Sequence, residues 1–377
     1  MIERPPPLDA VLAAAGAPAE AARAALETHA ERSPWYVRLL VGGVAWLAAL
    51  TVLGYVATTG LIDEDAYAPW GAVAAAVAIG LARWLPRDDA ARGAGAEFGA
   101  QIALVLSLVA RLLVLIGLGD WTDGNWMLIG TALALLESLL LGLYPDGLQR
   151  FVAAGLGGVW LLIALGDVDN ALTAAVLRDA TTLAAALGAG AIWLARARLA
   201  AGPRGDAVEP VGYGLAAFVL AACLEDTIGL FGLFGPAPPG LRWLATAGMA
   251  AGLLVVLWTV RARLGRPEID ASTAVLGVIV VAVAGATWTE PGIVAALGVL
   301  VLAFAARDAV LYGLGVVGLA ATLWHYFYGL SATMLEKSAL LVAAGLLLLG
   351  GRWLWRLAGA RGGDDDAAGV PAAGGSS

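Results

Sequence analysis

Long apolar runs recur from end to end of this chain, and they constrain its fold more than any other feature. A helix crossing a bilayer needs about 20 mostly apolar residues, because no water is present to satisfy exposed backbone groups. Twelve runs approach that length: Val37–Gly60, Ala68–Leu85, Phe98–Leu118, Trp126–Leu143, Phe151–Gly166, Ala171–Ala195, Val211–Phe234, Leu241–Val260, Ser272–Trp288, Gly292–Ala306, Ala309–Phe327 and Ser338–Leu357. The fifth and tenth are short, which suits tilted or half-crossing helices. The expected fold class is therefore all-α, a polytopic integral membrane helical bundle of about 12 transmembrane helices. Composition agrees: 60% of residues are apolar, 14% are charged and mean hydropathy is +0.83, far from the make-up of a soluble domain.

Charge orients the runs. Cytoplasmic loops carry the excess of Lys and Arg. Most of the 22 basic residues fall before the first run, or after the second, fourth, sixth, eighth, tenth and twelfth. The alternate loops are acidic: Asp63, Glu64 and Asp65, then Asp120 and Asp123, then Asp167 and Asp169, then Glu290. Both termini are expected in the cytoplasm. Of 14 tryptophans, all but Trp46 and Trp160 lie near run ends, where the amphipathic indole favours the interface. Residues 1–33 read as a cytoplasmic helical arm broken near Pro18, 34–358 as the membrane domain and 359–377 as a disordered cytoplasmic tail. The polar, Pro/Ala-rich start lacks the pattern of a cleavable signal peptide.

Several chemistries are excluded. One cysteine, Cys223, allows no internal disulfide, and two histidines, His29 and His325, allow no multi-His metal site. A net charge of −8 offers no basic patch for nucleic acid. No P-loop, HExxH, dinucleotide-glycine or Ser/His/Asp pattern occurs, and no cofactor or metal is expected.

Ionisable groups inside a bilayer cost about 2.5–3.5 kcal/mol each on insertion scales, so they point to function or to pairing. Arg111, Arg178, Asp179, Glu225, Asp226, His325, Tyr326, Tyr328, Glu336 and Lys337 come from distant runs and fall at one predicted depth, in the outer half. They form a candidate polar cluster, readable as a structural ion-pair network, a solute or headgroup pocket, or a catalytic site. Glu137 stands apart in the inner half of the fourth run and is a candidate proton site. Gly248 and Gly252 form a GxxxG pair suited to close helix packing inside the bundle.

Trp324-His325-Tyr326-Phe327-Tyr328-Gly329-Leu330, followed by Thr333-Met334-Leu335-Glu336-Lys337-Ser338, resembles the C-terminal signature of a bacterial membrane family, domain of unknown function 4401. Pro34-Trp35-Tyr36-Val37-Arg38-Leu39-Leu40 resembles its approach to the first span. His325 and Phe327 stand where that family favours Tyr, and Met334 where it favours Leu. The resemblance covers the chain from about Pro34 to Leu357. It implies a multi-pass inner-membrane protein without assigned activity. It also implies, as a partner, a membrane-anchored protein of the GDYXXLXY type with an extracytoplasmic domain. Three functions remain open at this point: a transporter or permease using the polar cluster, a non-catalytic subunit or scaffold for that partner, and an intramembrane enzyme acting on lipid-linked substrate.

Overall fold

A computed structural model describes residues 66–85, 94–168, 170–202, 205–228, 239–263 and 271–329, with isolated positions within 44–63 and 335–350. The predicted first and twelfth spans, the N-terminal arm and the C-terminal tail lie outside the continuously described residues. Among those residues every regular element is a helix. In order they are α1 Tyr67–Trp84, α2 Ala94–Trp121, α3 Trp126–Leu143, α4 Gly147–Gly166, α5 Ala171–Ala200, α6 Gly205–Ile228, α7 Pro239–Arg263, α8 Ala271–Ala286, α9 Pro291–Ala306 and α10 Ala309–Gly329. Seven of these contain segments long and apolar enough to cross a membrane; the apolar parts of α8 and α9 are shorter.

Local chemistry sets the ends. Asn170 Oδ1 accepts from Thr173 N at 3.0 Å and opens α5. Asp146 Oδ2 accepts from Gln149 N at 3.1 Å at the start of α4, so α4 begins four residues before the predicted Phe151 and has 20 residues. The fifth span is therefore of full length. The expectation of a short segment failed because the apolar run, not the cap, was taken as the boundary. Pro291, whose missing N–H costs nothing in a first turn, opens α9. Asp123 and Gly124 adopt positive φ between α2 and α3, and Gly124 N closes on Gly119 O at 3.0 Å.

The chain forms two compact units. The first holds α1 and α2 with residues 138–149. Here α1 and α2 pack antiparallel with their backbones nearly touching. A Cβ on Gly71 would lie 2.7 Å from Val114 Cγ2, and one on Gly117 only 2.3 Å from Ala68 N. Arg83 Nε at the end of α1 donates to Leu143 O at 2.9 Å.

The second unit holds residues 126–137 and everything from Arg150 onward. Its centre is α9. Nine of the 16 residues of α9 are buried, as befits a helix that is apolar all round. One face of α9 joins Phe218, Val219, Cys223, Met249 and Leu253. The other joins Trp193, Ala216, Leu220 and Leu311. Small residues again set the spacing: Gly214 of α6 sits against Phe151 O and Ala154 of α4, and Gly158 of α4 against the Phe218 ring. Gly248 and Gly252 rest on Leu183 and Leu187 of α5, the internal use expected of that pair. Away from the core, Leu135, Val278, Val281, Phe304 and Val317 are exposed. So much open aliphatic surface is the mark of helices solvated by lipid.

Gly117→Ala should destabilise the protein by about 1–3 kcal/mol, since a methyl there meets backbone. Gly119→Ala, where nothing lies within 4 Å, should be neutral or slightly stabilising. Thermal unfolding in detergent compares the two; equal transition temperatures would refute the close α1–α2 contact.

Candidate functional site

The second unit contains three cavities in line along one seam between α5, α7 and α9. At the end rich in arginine, a chamber of about 570 Å³ is lined by Trp193 and Leu194 of α5, Val260 and Arg263 of α7, Leu302–Ala306 of α9, Arg307–Ala309 and Tyr312. Next comes an apolar chamber of about 190 Å³ between Leu183–Leu194, Met249–Val256 and Val294–Leu302. At the opposite end a crevice of about 10 Å³ lies among Arg178, Asp179, Thr182, Cys223, Ala245, Met249 and Pro291. Leu194 and Leu302 line both of the first two spaces, and Met249 lines both of the last two. The three spaces therefore follow one another as a row, decreasing in size toward the Arg178 end.

Asp308 organises the wide chamber. Its Oδ1 accepts from Leu311 N at 2.8 Å and caps α10. Its Oδ2 accepts from the Tyr213 hydroxyl at 2.7 Å, tying α10 to α6. Arg196 Nη1 stands 3.7 Å from the same oxygen, while its Nε is 3.5 Å from Glu209 Oε1. The Arg196 guanidinium also lies 5.5 Å from the Trp193 ring centre, and Trp193 meets Tyr213 edge-on at 5.0 Å. Asp308 is thus neutralised in place. Arg307, just before it, is held in the left-handed region at φ 54° as the C-cap of α9, with Asp308 N closing on Ala303 O at 3.0 Å. Glycine normally fills such a position. Arg307 and Arg263 are both exposed, and among the described residues neither forms an ion pair.

At the opposite end Arg178 is buried, and Asp179 and Thr182 share its crevice. Thr246 Oγ1 of α7 donates to Trp288 O at 2.9 Å, and the Tyr326 hydroxyl to Ala286 O at 3.2 Å. Both bonds tie this end to the end of α8. His325 is half-buried, its Nδ1 has no hydrogen-bond partner, and the Arg242 guanidinium lies within its electrostatic reach. Glu290 is buried and engaged. Tyr328 is exposed and stacks on Trp324 at 4.5 Å. Glu225 and Asp226 belong to the last turn of α6, but their side chains are outside the described residues, as are Glu336 and Lys337. Of the predicted cluster, the second unit thus gathers Arg178 and Asp179 in one crevice and carries His325, Tyr326 and Tyr328 on the last turns of α10. Glu290 enters the sequence reading only as an acidic loop residue, and neither Arg242 nor the Asp308–Tyr213 pair is marked there as a candidate.

Arg111 lies in the first unit, in a buried polar knot. Its Nη1 donates to Ser107 O at 2.8 Å and Oγ at 3.0 Å. Ser107 Oγ is 2.6 Å from Leu104 O and 2.9 Å from Gln149 Oε1. One hydroxyl proton cannot serve both acceptors. Turning the Gln149 amide over resolves this: Nε2 donates to Oγ and Oγ donates to Leu104 O. Either way Gln149, fully buried, keeps half its amide without a partner. Tyr144, also buried, follows α3; burial and the Asp146 charge push its phenol up, against a smaller opposing pull from Arg111. Glu137, expected to stand alone, is 1% exposed, lies against Gly157 of α4 and is engaged by a partner. Among the described residues no three His, Cys, Asp or Glu side chains gather in a way that suits a metal ion.

These features define a class: an all-helical protein whose helices have the length and apolarity of membrane spans. Comparison narrows it. The family model described as Domain of unknown function (DUF4401) matches residues 34–357, so the chain belongs to that family. No curated protein and no solved structure matches it.

Asp308→Ala should cost about 2–4 kcal/mol, from a lost cap of about 1 kcal/mol and a lost charged hydrogen bond of about 1.5–3 kcal/mol. Asp308→Asn, which still caps, should cost less. A double-mutant cycle with Tyr213→Phe, read by denaturant unfolding, should give a coupling of about 1–2 kcal/mol. Additive effects would remove the α6–α10 tie.

Proposed function

We propose that this is a transporter-like permease of the bacterial inner membrane, with twelve spans and both termini cytoplasmic, moving its cargo along the α5–α7–α9 seam. The observation that carries this reading is the row of three cavities along one seam, wide at the arginine-rich end and narrow at the Arg178 end. On the charge pattern of the loops, the open chamber with Arg196, Arg263 and Arg307 faces the cytoplasm, and the Arg178 crevice faces outward. The form described is then the inward-open partner of an alternating pair. Arg178 and Asp179, with His325 and Arg242 at the same end, would meet the cargo from outside, and Met249 with its neighbours forms the closed gate. Glu225, Asp226, Glu336 and Lys337 complete the outer group in this reading. Glu137 and Arg111 are structural in it, each buried and engaged within its own unit. A scaffold role for a membrane-anchored partner needs no such seam.

Cys223 is the sole cysteine and is buried at the narrow crevice, so it reports opening without any introduced label. In intact cells a membrane-impermeant thiol reagent should modify Cys223 slowly, and Met249→Ala should speed this severalfold. In inverted vesicles of a Cys223→Ala background, Ala305→Cys should react quickly. A Cys223 that stays inert in native membranes yet reacts fully once denatured would sink alternating access.

A further inference from the structure

We infer that the wide chamber is a binding site for an anionic phospholipid, with the phosphate between Arg263 and Arg307 and an acyl chain laid into the seam. This rests on the membrane reading above and names the chemistry of what occupies its open end. Four observations support it. First, the chamber wall is almost wholly apolar, built from Trp193, Leu194, Val260, Leu302, Ala303 and Phe304, and its size falls in the range of ligand sites. Second, its charged lining consists of Arg263, Arg307 and Asp308. Asp308 is already consumed by Tyr213, Leu311 N and Arg196, whereas Arg263 and Arg307 have no ion pair among the described residues. The net charge of the lining is positive. Third, Phe304 is 84% exposed and Tyr312 is exposed beside the chamber, so the opening is toward apolar solvent as well as along the seam. Fourth, Arg307 occupies a left-handed position that glycine would fill without strain. A non-glycine residue kept there points to use of its side chain.

The chemistry of the walls decides between ligands. A free hydrated anion would gain from the arginines but would waste the apolar chamber and the 190 Å³ space beyond it. A neutral hydrocarbon would fill the chamber and leave two cations facing nothing. An amphipath with a phosphate head satisfies both, and basic pockets between spanning helices on the cytoplasmic side are suited to such heads.

The test uses the full chain purified in a neutral detergent. Phosphatidylglycerol, phosphatidylcholine and inorganic phosphate are titrated separately while thermal unfolding is followed. Phosphatidylglycerol should raise the transition temperature, and phosphatidylcholine should do so far less. Each arginine removed should weaken the apparent affinity about fivefold. Arg307→Gly is the decisive variant, because it relieves the left-handed residue and so should fold as well as the parent or better while binding phosphatidylglycerol about fivefold more weakly. Arg263→Gln should behave alike in binding, and Ala305→Trp, which fills the chamber from an exposed position, should abolish the shift. Equal responses to the two lipids overturn the headgroup assignment. A response to inorganic phosphate equal to that of phosphatidylglycerol overturns the acyl-chain assignment. An unchanged response in Arg307→Gly overturns the site. None of these outcomes bears on Cys223 labelling, so failure here and failure of the transport reading are told apart.

Discussion

Backbone N–H and C=O groups in an apolar solvent must be satisfied within the chain, and this requirement shapes everything else described here. It leaves the helix as the regular element of the described residues and moves the remaining problem to helix ends and polar side chains. The ends are handled by short polar residues at their proper places: Asn170 for α5, Asp146 for α4, Asp308 for α10 and, from a neighbouring element, Asp167 Oδ2 on Met127 N of α3 at 3.0 Å. Threonines inside the helices donate back to the carbonyl one turn earlier, as Thr131, Thr181 and Thr259 do. None of these leaves a hydroxyl bare to lipid.

Once every helix is closed on itself, little hydrophobic force remains to bring one against another, because lipid is as apolar as leucine. Packing then depends on how nearly two backbones approach. The glycines of the two units serve that purpose, each within its own unit. Gly117 brings α2 onto Ala68, Gly214 brings α6 onto Phe151, and Gly292 brings α9 onto Thr322 and Cys223. The cavities do not simply follow the absence of glycine: Gly190, Gly252 and Gly298 line the narrower apolar chamber, and the wider one lies past Val256 toward Val260 and Arg263.

The sequence made the helices legible because a spanning helix is written as a run of apolar residues in continuous order. It was weaker at boundaries set by a single cap, as Asp146 showed at α4. The chamber was not legible at all. Leu194, Val260 and Leu302 meet only because α5, α7 and α9 are neighbours, and hydropathy contains no adjacency. Asp308 is a partial exception, since an Asp three residues before Leu311 at a helix start is a readable cap signal. Depth was also misleading as a guide to contact. The Arg111 side chain reaches back one turn to Ser107, since side chains on a helix lean toward its N-terminus. Grouping residues by the depth of their Cα atoms therefore misplaces long side chains by about one turn.

The middle of the seam constrains function more than either end. Between Leu183 and Leu302 the lining is Leu, Ala, Gly, Val and Met. A bare ion moved through such a space would lose its hydration with nothing in return, a cost of many kcal/mol. A cargo of that kind would need polar groups at the midpoint, which the seam lacks. Charge is placed instead at the two ends, Arg178 with Asp179 at one and Arg263 with Arg307 at the other. That distribution fits a molecule that keeps its polar part at an end while its apolar part occupies the middle. Arg178 is likewise not left bare: it is buried, engaged, and shares its crevice with Asp179 and Thr182, as an arginine in an apolar helix requires. In the transport reading proposed above, the seam selects by what it omits, and the apolar walls of the 190 Å³ chamber share in recognition with the arginines.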